Sequence, residues 1–201
     1  MTAGGHRQDN QPVYMLHTYP FRETSLVVEL FSRQFGRVAT IAKGARRPRA
    51  AMRGMLQSFQ PLLATWSGKS ELRNLHGVEW RGGLHVLHGQ ALICGFYLNE
   101  LMLRLLPRED PHELLFEYYE EALRQLAQDE QQGLVLRRFE KKLLQELGYA
   151  LPLEHEADSA MPVQEQIQYD YVPERGPVRQ RGGKSGVQLD RKSTRLNSSH
   201  T

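Results

Sequence analysis

Between Pro12 and Trp80 the apolar positions fall into short, β-branched runs: Val13–Thr18, Leu26–Ser32, Arg37–Ala42, Met55–Trp66 and Glu71–Trp80. Turn formers separate them at Pro20–Thr24, Gln34–Gly36, Lys43–Gly54 and Ser67–Ser70, which predicts five strands. Five strands interrupted by one long charged loop fit a small closed barrel of the OB type better than a sandwich, which needs about seven. Closure also removes the exposed strand edges that a small all-β unit must hide.

Near Leu84 the period changes to three-and-four. Leu87, Ala91, Leu92, Gly95, Leu98, Leu101, Met102 and Leu105 predict a helix that stops before Pro107. A second helix is expected to start at Asp110 as N-cap, with Pro111 in the first turn and Glu113 completing the cap, and to bury Leu114, Leu115, Tyr118, Ala122, Leu123 and Leu126. A third, over about 132–147, carries Leu136, Phe139, Leu143, Leu144 and Leu147 and ends at Gly148. Beyond it, Pro152, Pro162, Pro173 and Pro177 exclude long helices, and Ile167–Val172 alternates like a hairpin strand. The fold class is α+β and multi-domain. It comprises a disordered tail over 1–11, a five-stranded OB-fold barrel over 12–84, a helical protein-interaction domain over 85–176, and a disordered basic tail over 177–201.

Charge is segregated along this plan. Residues 1–84 hold 12 Lys and Arg against 5 Asp and Glu, residues 85–176 hold 8 against 17, and residues 177–201 hold 6 against 1. The barrel unit is therefore attractive to a polyanion and the helical unit is not, which assigns the second half to protein partners. The closing string DRKSTRLNSSH resembles a translated sequencing adapter, so residues 190–201 are read as an artefact and left out of the fold. A single cysteine, Cys94, excludes an internal disulfide and suits a reducing compartment. With no signal peptide and no apolar run long enough to span a bilayer, the expected location is the cytoplasm, in association with the nucleoid.

The strongest candidate site is the loop Lys43–Gly54, which has five basic residues and no acid: Lys43, Arg46, Arg47, Arg49 and Arg53. Cations there would hold phosphates through counterion release, with Arg37, Lys69 and Arg73 extending the patch where the strands place them on the same face. Tyr14, Tyr19, Phe21, Phe35, Phe59 and Trp66 share the unit, and most are expected in its core. In the third helix Arg137, Arg138, Lys141 and Lys142 form a basic island beside an apolar stripe that includes Leu136, and Leu136, Arg137, Arg138 and Lys141 are the expected contacts for an acidic, aromatic peptide. His85 with His88, and His155 with Glu154, Glu156 and Asp158, lack metal-site spacing, and the second group reads as a solvated acidic loop. No P-loop, Gly-x-Ser-x-Gly elbow or dinucleotide fingerprint occurs, so no catalytic residue, cofactor or metal is expected.

The ordered set Glu23–Leu26, Gly36–Val38, Lys43–Arg46, Gln57–Leu62, Tyr97–Leu101, Leu136–Glu140 and Leu147–Tyr149 resembles the bacterial RecO family of DNA repair proteins. The resemblance implies a recombination mediator of the RecF pathway that binds single- and double-stranded DNA and anneals complementary strands. It also implies that, with RecR and in functional contact with RecF, such a protein helps RecA replace single-strand-binding protein on gaps. It places Lys43 and Arg46 in the basic loop motif. Arg137 and Arg138 fall on the helix near which the tail of single-strand-binding protein would dock. The four cysteines that hold zinc in some relatives have no counterpart in 149–176, and the further carboxy-terminal helices of relatives are missing. The helical domain is thus expected to be incomplete. The alternative is an adaptor whose OB-fold binds a polypeptide rather than DNA.

Overall fold

The computed structural model describes residues 7–83, 86–128, 131–149, 153–172, 175–180 and 187–188. Five strands, β1 (Arg7–Phe21), β2 (Ser25–Ser32), β3 (Gly36–Ala42), β4 (Leu62–Ser67) and β5 (Leu72–Trp80), close into a barrel in the order β1-β2-β3-β5-β4. The closure is made by β1 pairing with both β2 and β4, and by the one parallel pair, β3 with β5. This is the OB-fold topology, with a short helix α1 (Ala51–Met55) between β3 and β4. Val13, Met15, Val28, Leu30, Val38, Leu62 and Trp66 fill its interior.

β1 begins within the stretch 1–11 expected as a disordered tail: Arg7, Gln8 and Gln11 pair with β4 across a register shift between Gln8 and Gln11. The expected fourth strand is shorter, because Met55 ends α1 and the chain reaches strand geometry only at Leu62.

Three helices follow: α2 (Gly89–Leu105), α3 (Glu113–Ala127) and α4 (Gln132–Glu146). α2 stops because Leu106 precedes a proline and takes extended backbone (φ −77°, ψ 128°). α3 starts at Glu113 with His112 as its N-cap, not at Asp110. The Pro107–Pro111 link is otherwise engaged, docking on β3 through the Glu109 amide to the Arg37 carbonyl (3.0 Å) and a parallel bridge from Arg108 to Arg37. Gly36 (φ +62°) makes this approach possible, since a Cβ there would stand 1.9 Å from the Asp110 carbonyl oxygen.

The barrel, α2, α3 and α4 as far as Lys142 form one compact unit. The outer face of β1 and β2 is aromatic where the helices lie: Tyr14 and Phe31 meet Phe116 and Tyr119 with ring centroids 5.1–6.1 Å apart. Buried Asn99 of α2 donates to the Leu16 carbonyl (2.9 Å) and accepts from the Tyr119 hydroxyl (2.6 Å). Gly95 admits the Phe59 ring, which would lie 3.0 Å from a Cβ placed there.

The second compact unit starts at Leu143 and contains β6 (Tyr169–Val172), β7 (Gly176–Arg179) and β8 (Val187–Gln188) in the order β7-β6-β8. Val178 and Arg179, expected in a mobile tail, are thus strand residues opposite Asp170 and Tyr169. The expected solvated acidic loop is also different at Glu156. Its side chain is buried, accepting from Ser159 (2.5 Å), the Tyr169 hydroxyl (2.7 Å) and Arg179 Nε (2.7 Å). These donors, Ser159 and Tyr169 before Arg179, hold its carboxyl well below the usual range, at about 2. The adapter-like residues 190–201 lie outside the described residues.

Candidate nucleic-acid interface

The charged loop is anchored by apolar residues within it and at its end. Ala45 is buried in the barrel core, and Met52 of α1 and Leu56, the residue that caps its end, pack against the same core. Successive turns, Arg47 N–H to Gly44 (3.0 Å), Ala50 N–H to Arg47 (3.2 Å) and Arg53 N–H to Ala50 (3.0 Å), carry the backbone between these anchors. Lys43, Arg46, Arg47, Arg49 and Arg53 are left exposed. Among the described residues none of the five is in an ion pair.

The loop is tied to the β1–β2 turn. The Arg46 amide donates to the Thr24 carbonyl (2.9 Å) and its Nη1 to the Arg22 carbonyl (3.2 Å). Between turn and loop lies an open depression of about 700 Å³, lined by Phe21–Ser25, Ile41, Lys43, Gly44, Arg47 and Asn74. Its rim carries Arg22, Lys43 and Arg47 against one carboxylate, Glu23, so an anion entering it meets net positive charge with a partly apolar floor. Arg22, whose guanidinium carbon lies 5.2 Å from the Phe21 ring centroid, was not singled out in the sequence because it sits alone in a hairpin turn.

Arg37 stands apart from this group. Its Nη1 donates to the Leu103 carbonyl and its Nε lies 4.0 Å from the Glu29 carboxylate, which also accepts from Arg108 at 2.5 Å. Arg37 therefore belongs to the junction between barrel and link.

In α4 the basic island is partly engaged. Arg137 pairs with Glu140, which also accepts from the Tyr97 hydroxyl of α2 (2.8 Å). Arg138 is exposed, Leu136 and Lys141 are half-buried, and Lys142 lies over the Tyr118 ring at 4.8 Å. The neighbouring surface of α2 exposes Ile93, Phe96 and Tyr97. Among the described residues no three His, Cys, Asp or Glu converge as metal ligands, and no helix is long and apolar enough to cross a membrane.

The sequence matches two family models along its length, recombination protein O N terminal over residues 7–84 and recombination protein O C terminal over residues 87–194. The chain belongs to the RecO family. Similar RecO proteins include the DNA repair protein RecO of Nitrosospira multiformis, 52% identical over 190 residues, which cover 94% of this chain and 78% of that protein. The DNA repair protein RecO of Aromatoleum aromaticum is 56% identical over 181 residues, 90% of this chain and 75% of its own length. That of Dechloromonas aromatica is 54% identical over 192 residues, 94% and 78% respectively. The resemblance to RecO drawn from the motifs therefore holds, and the barrel with its basic loop is the amino-terminal part of a RecO fold.

Proposed function

We propose that this chain is a DNA repair and recombination mediator. In this reading it binds single- and double-stranded DNA through the Lys43–Arg53 loop, anneals complementary strands, and helps load RecA on gaps coated by single-strand-binding protein. The observation that carries this is the set of five exposed cations, none ion-paired among the described residues, two of which, Lys43 and Arg47, rim a depression together with Arg22. Two DNA strands repel one another, and cations that neutralise phosphates lower that cost without any bond being made or broken. The function therefore needs no catalytic group, and it places the protein in the cytoplasm at the nucleoid.

Partner binding falls to the helices. Arg138, with Arg137, Lys141 and the half-buried Leu136, offers cation and apolar contact to an acidic, aromatic tail of single-strand-binding protein, and RecR, RecF and RecA would be reached through the same complexes.

The test is DNA affinity against salt for the natural chain and for a variant with Lys43, Arg46, Arg47 and Arg49 changed to Ala. The expected result is weaker binding and a logarithmic salt slope shallower by about 0.7 per lost phosphate contact on single strands. An unchanged slope would remove the loop as the phosphate contact and favour the polypeptide-binding adaptor.

A further inference from the structure

The eight aromatic residues of the barrel unit are sorted by the fold. Tyr14, Trp66 and Phe59 are buried, and Phe35 packs on Trp66 with ring centroids 5.6 Å apart. Tyr19 and Trp80 are exposed, at 46% and 53%; Trp80 donates its indole N–H to the Gly83 carbonyl (3.3 Å) and does not line the depression, whereas Tyr19 lies on the outer face of the barrel two residues before Phe21, which does. Residues two apart on a strand share a face. Across the sheet Tyr19 stands opposite Val27, Val27 opposite Ile41 and Ile41 opposite Asn74, and the last two line the depression. Adjacent strands are about 4.8 Å apart, so this row makes one continuous shelf running from the basic rim to Tyr19. His17 packs edge-on against the Tyr19 ring, with centroids 4.5 Å apart and planes at 64°, which limits the orientations the ring can take.

We infer that Tyr19 is a stacking platform for an unpaired base, on the shelf whose far edge is the Lys43–Arg47 rim, so that this face selects single strands over duplex. The occupant is single-stranded nucleic acid because the shelf needs both of its chemistries at once. A chain of phosphates answers the unpaired cations, and flat apolar faces spaced along that chain answer the exposed ring. Every base has a π-face, so the contact carries no sequence preference. In duplex the bases are already stacked on each other and cannot reach the ring, so duplex binding uses the cations alone. The inference rests on the phosphate-binding reading above and adds to it a discrimination that charge cannot make.

The experiment compares three probes of equal length: an oligothymidylate, the same backbone with abasic sites throughout, and a duplex. The natural chain should bind the oligothymidylate more tightly than the abasic strand; equal affinities would overturn the inference without any variant. Tyr19→Leu should bind the oligothymidylate about tenfold more weakly, within the range of one stacked base, with abasic and duplex affinities and the salt slope unchanged. Tyr19→Phe, which keeps the ring, should retain binding. If Tyr19→Leu binds all three probes like the natural chain while the loop variant shows its shallower slope, stacking is wrong and phosphate binding stands. If the loop variant keeps the natural slope, the phosphate reading itself is lost.

Discussion

Arginines of one type do three different jobs in this chain, and burial decides which. Arg47 is exposed at the rim of a depression, Arg37 is held between the Leu103 carbonyl and Glu29, and Arg179 closes a network around buried Glu156. Glu156 has a measurable consequence in acid. Its folded carboxyl titrates at about 2 against an ordinary 4.5, so the stability it contributes is fully present above pH 4.5 and is lost as the pH falls toward 2. Urea unfolding followed through the Tyr169 ring resonances should show the midpoint falling across that window. In Glu156→Gln the midpoint should already be low at neutral pH, and this part of the acid dependence should be absent. The sequence displayed Glu156 as one acid among several near His155. Only the hairpin, which brings Tyr169 and Arg179 back to it, separates a buried acceptor from a solvated one.

At the scale of elements, strands and loop charge were legible while second faces were not. Val13-Tyr14-Met15-Leu16 is a continuous apolar run because β1 is covered on both sides, by the barrel interior and by helices, so alternation carries no information there. In α2 the apolar stripe read from the sequence is rotated. Leu92 and Leu105 are exposed, and polar Asn99 is buried because it links the Leu16 carbonyl to Tyr119. The basic loop was visible from charge alone, but its anchoring through Ala45, Met52 and Leu56 was not, since isolated apolar residues in and after a run of arginines show no periodicity. The start of α3 was misplaced because the cap signal at Asp110 competes with docking of the link on β3. That docking makes Gly36→Ala a sharp test: the side chain would meet the Asp110 carbonyl in a backbone conformation that already disfavours it. A loss of about 2–4 kcal/mol is expected in thermal or denaturant unfolding. Gly54→Ala, with nothing within 4 Å, should change stability by under about 1 kcal/mol.

For the molecule as a whole, the barrel and the helices as far as Lys142 share one set of buried aromatics, so neither is complete alone. Tyr14, Leu16 and Phe31 would be uncovered in an isolated barrel, at about 2 kcal/mol each for the apolar pair, a large part of a total stability of about 5–15 kcal/mol. A fragment of residues 7–83 should therefore melt broadly and bind an apolar dye, whereas in the full chain barrel and α3 resonances should be lost in one transition. The segregation of charge along the sequence thus does not mark a mechanical joint. A basic surface and an acidic one belong to the same unit.

β3 begins at Gly36, clasped by the link, and ends where Lys43 enters the loop, with β2 on one side and β5 on the other. At about 3.3 Å per residue it is a rod roughly 23 Å long. Tension applied at the loop by a taut nucleic-acid strand would run lengthwise down this rod and load its two rows of hydrogen bonds in shear, all together rather than one after another. Such a geometry resists extraction under force far better than a hairpin peeled from its end.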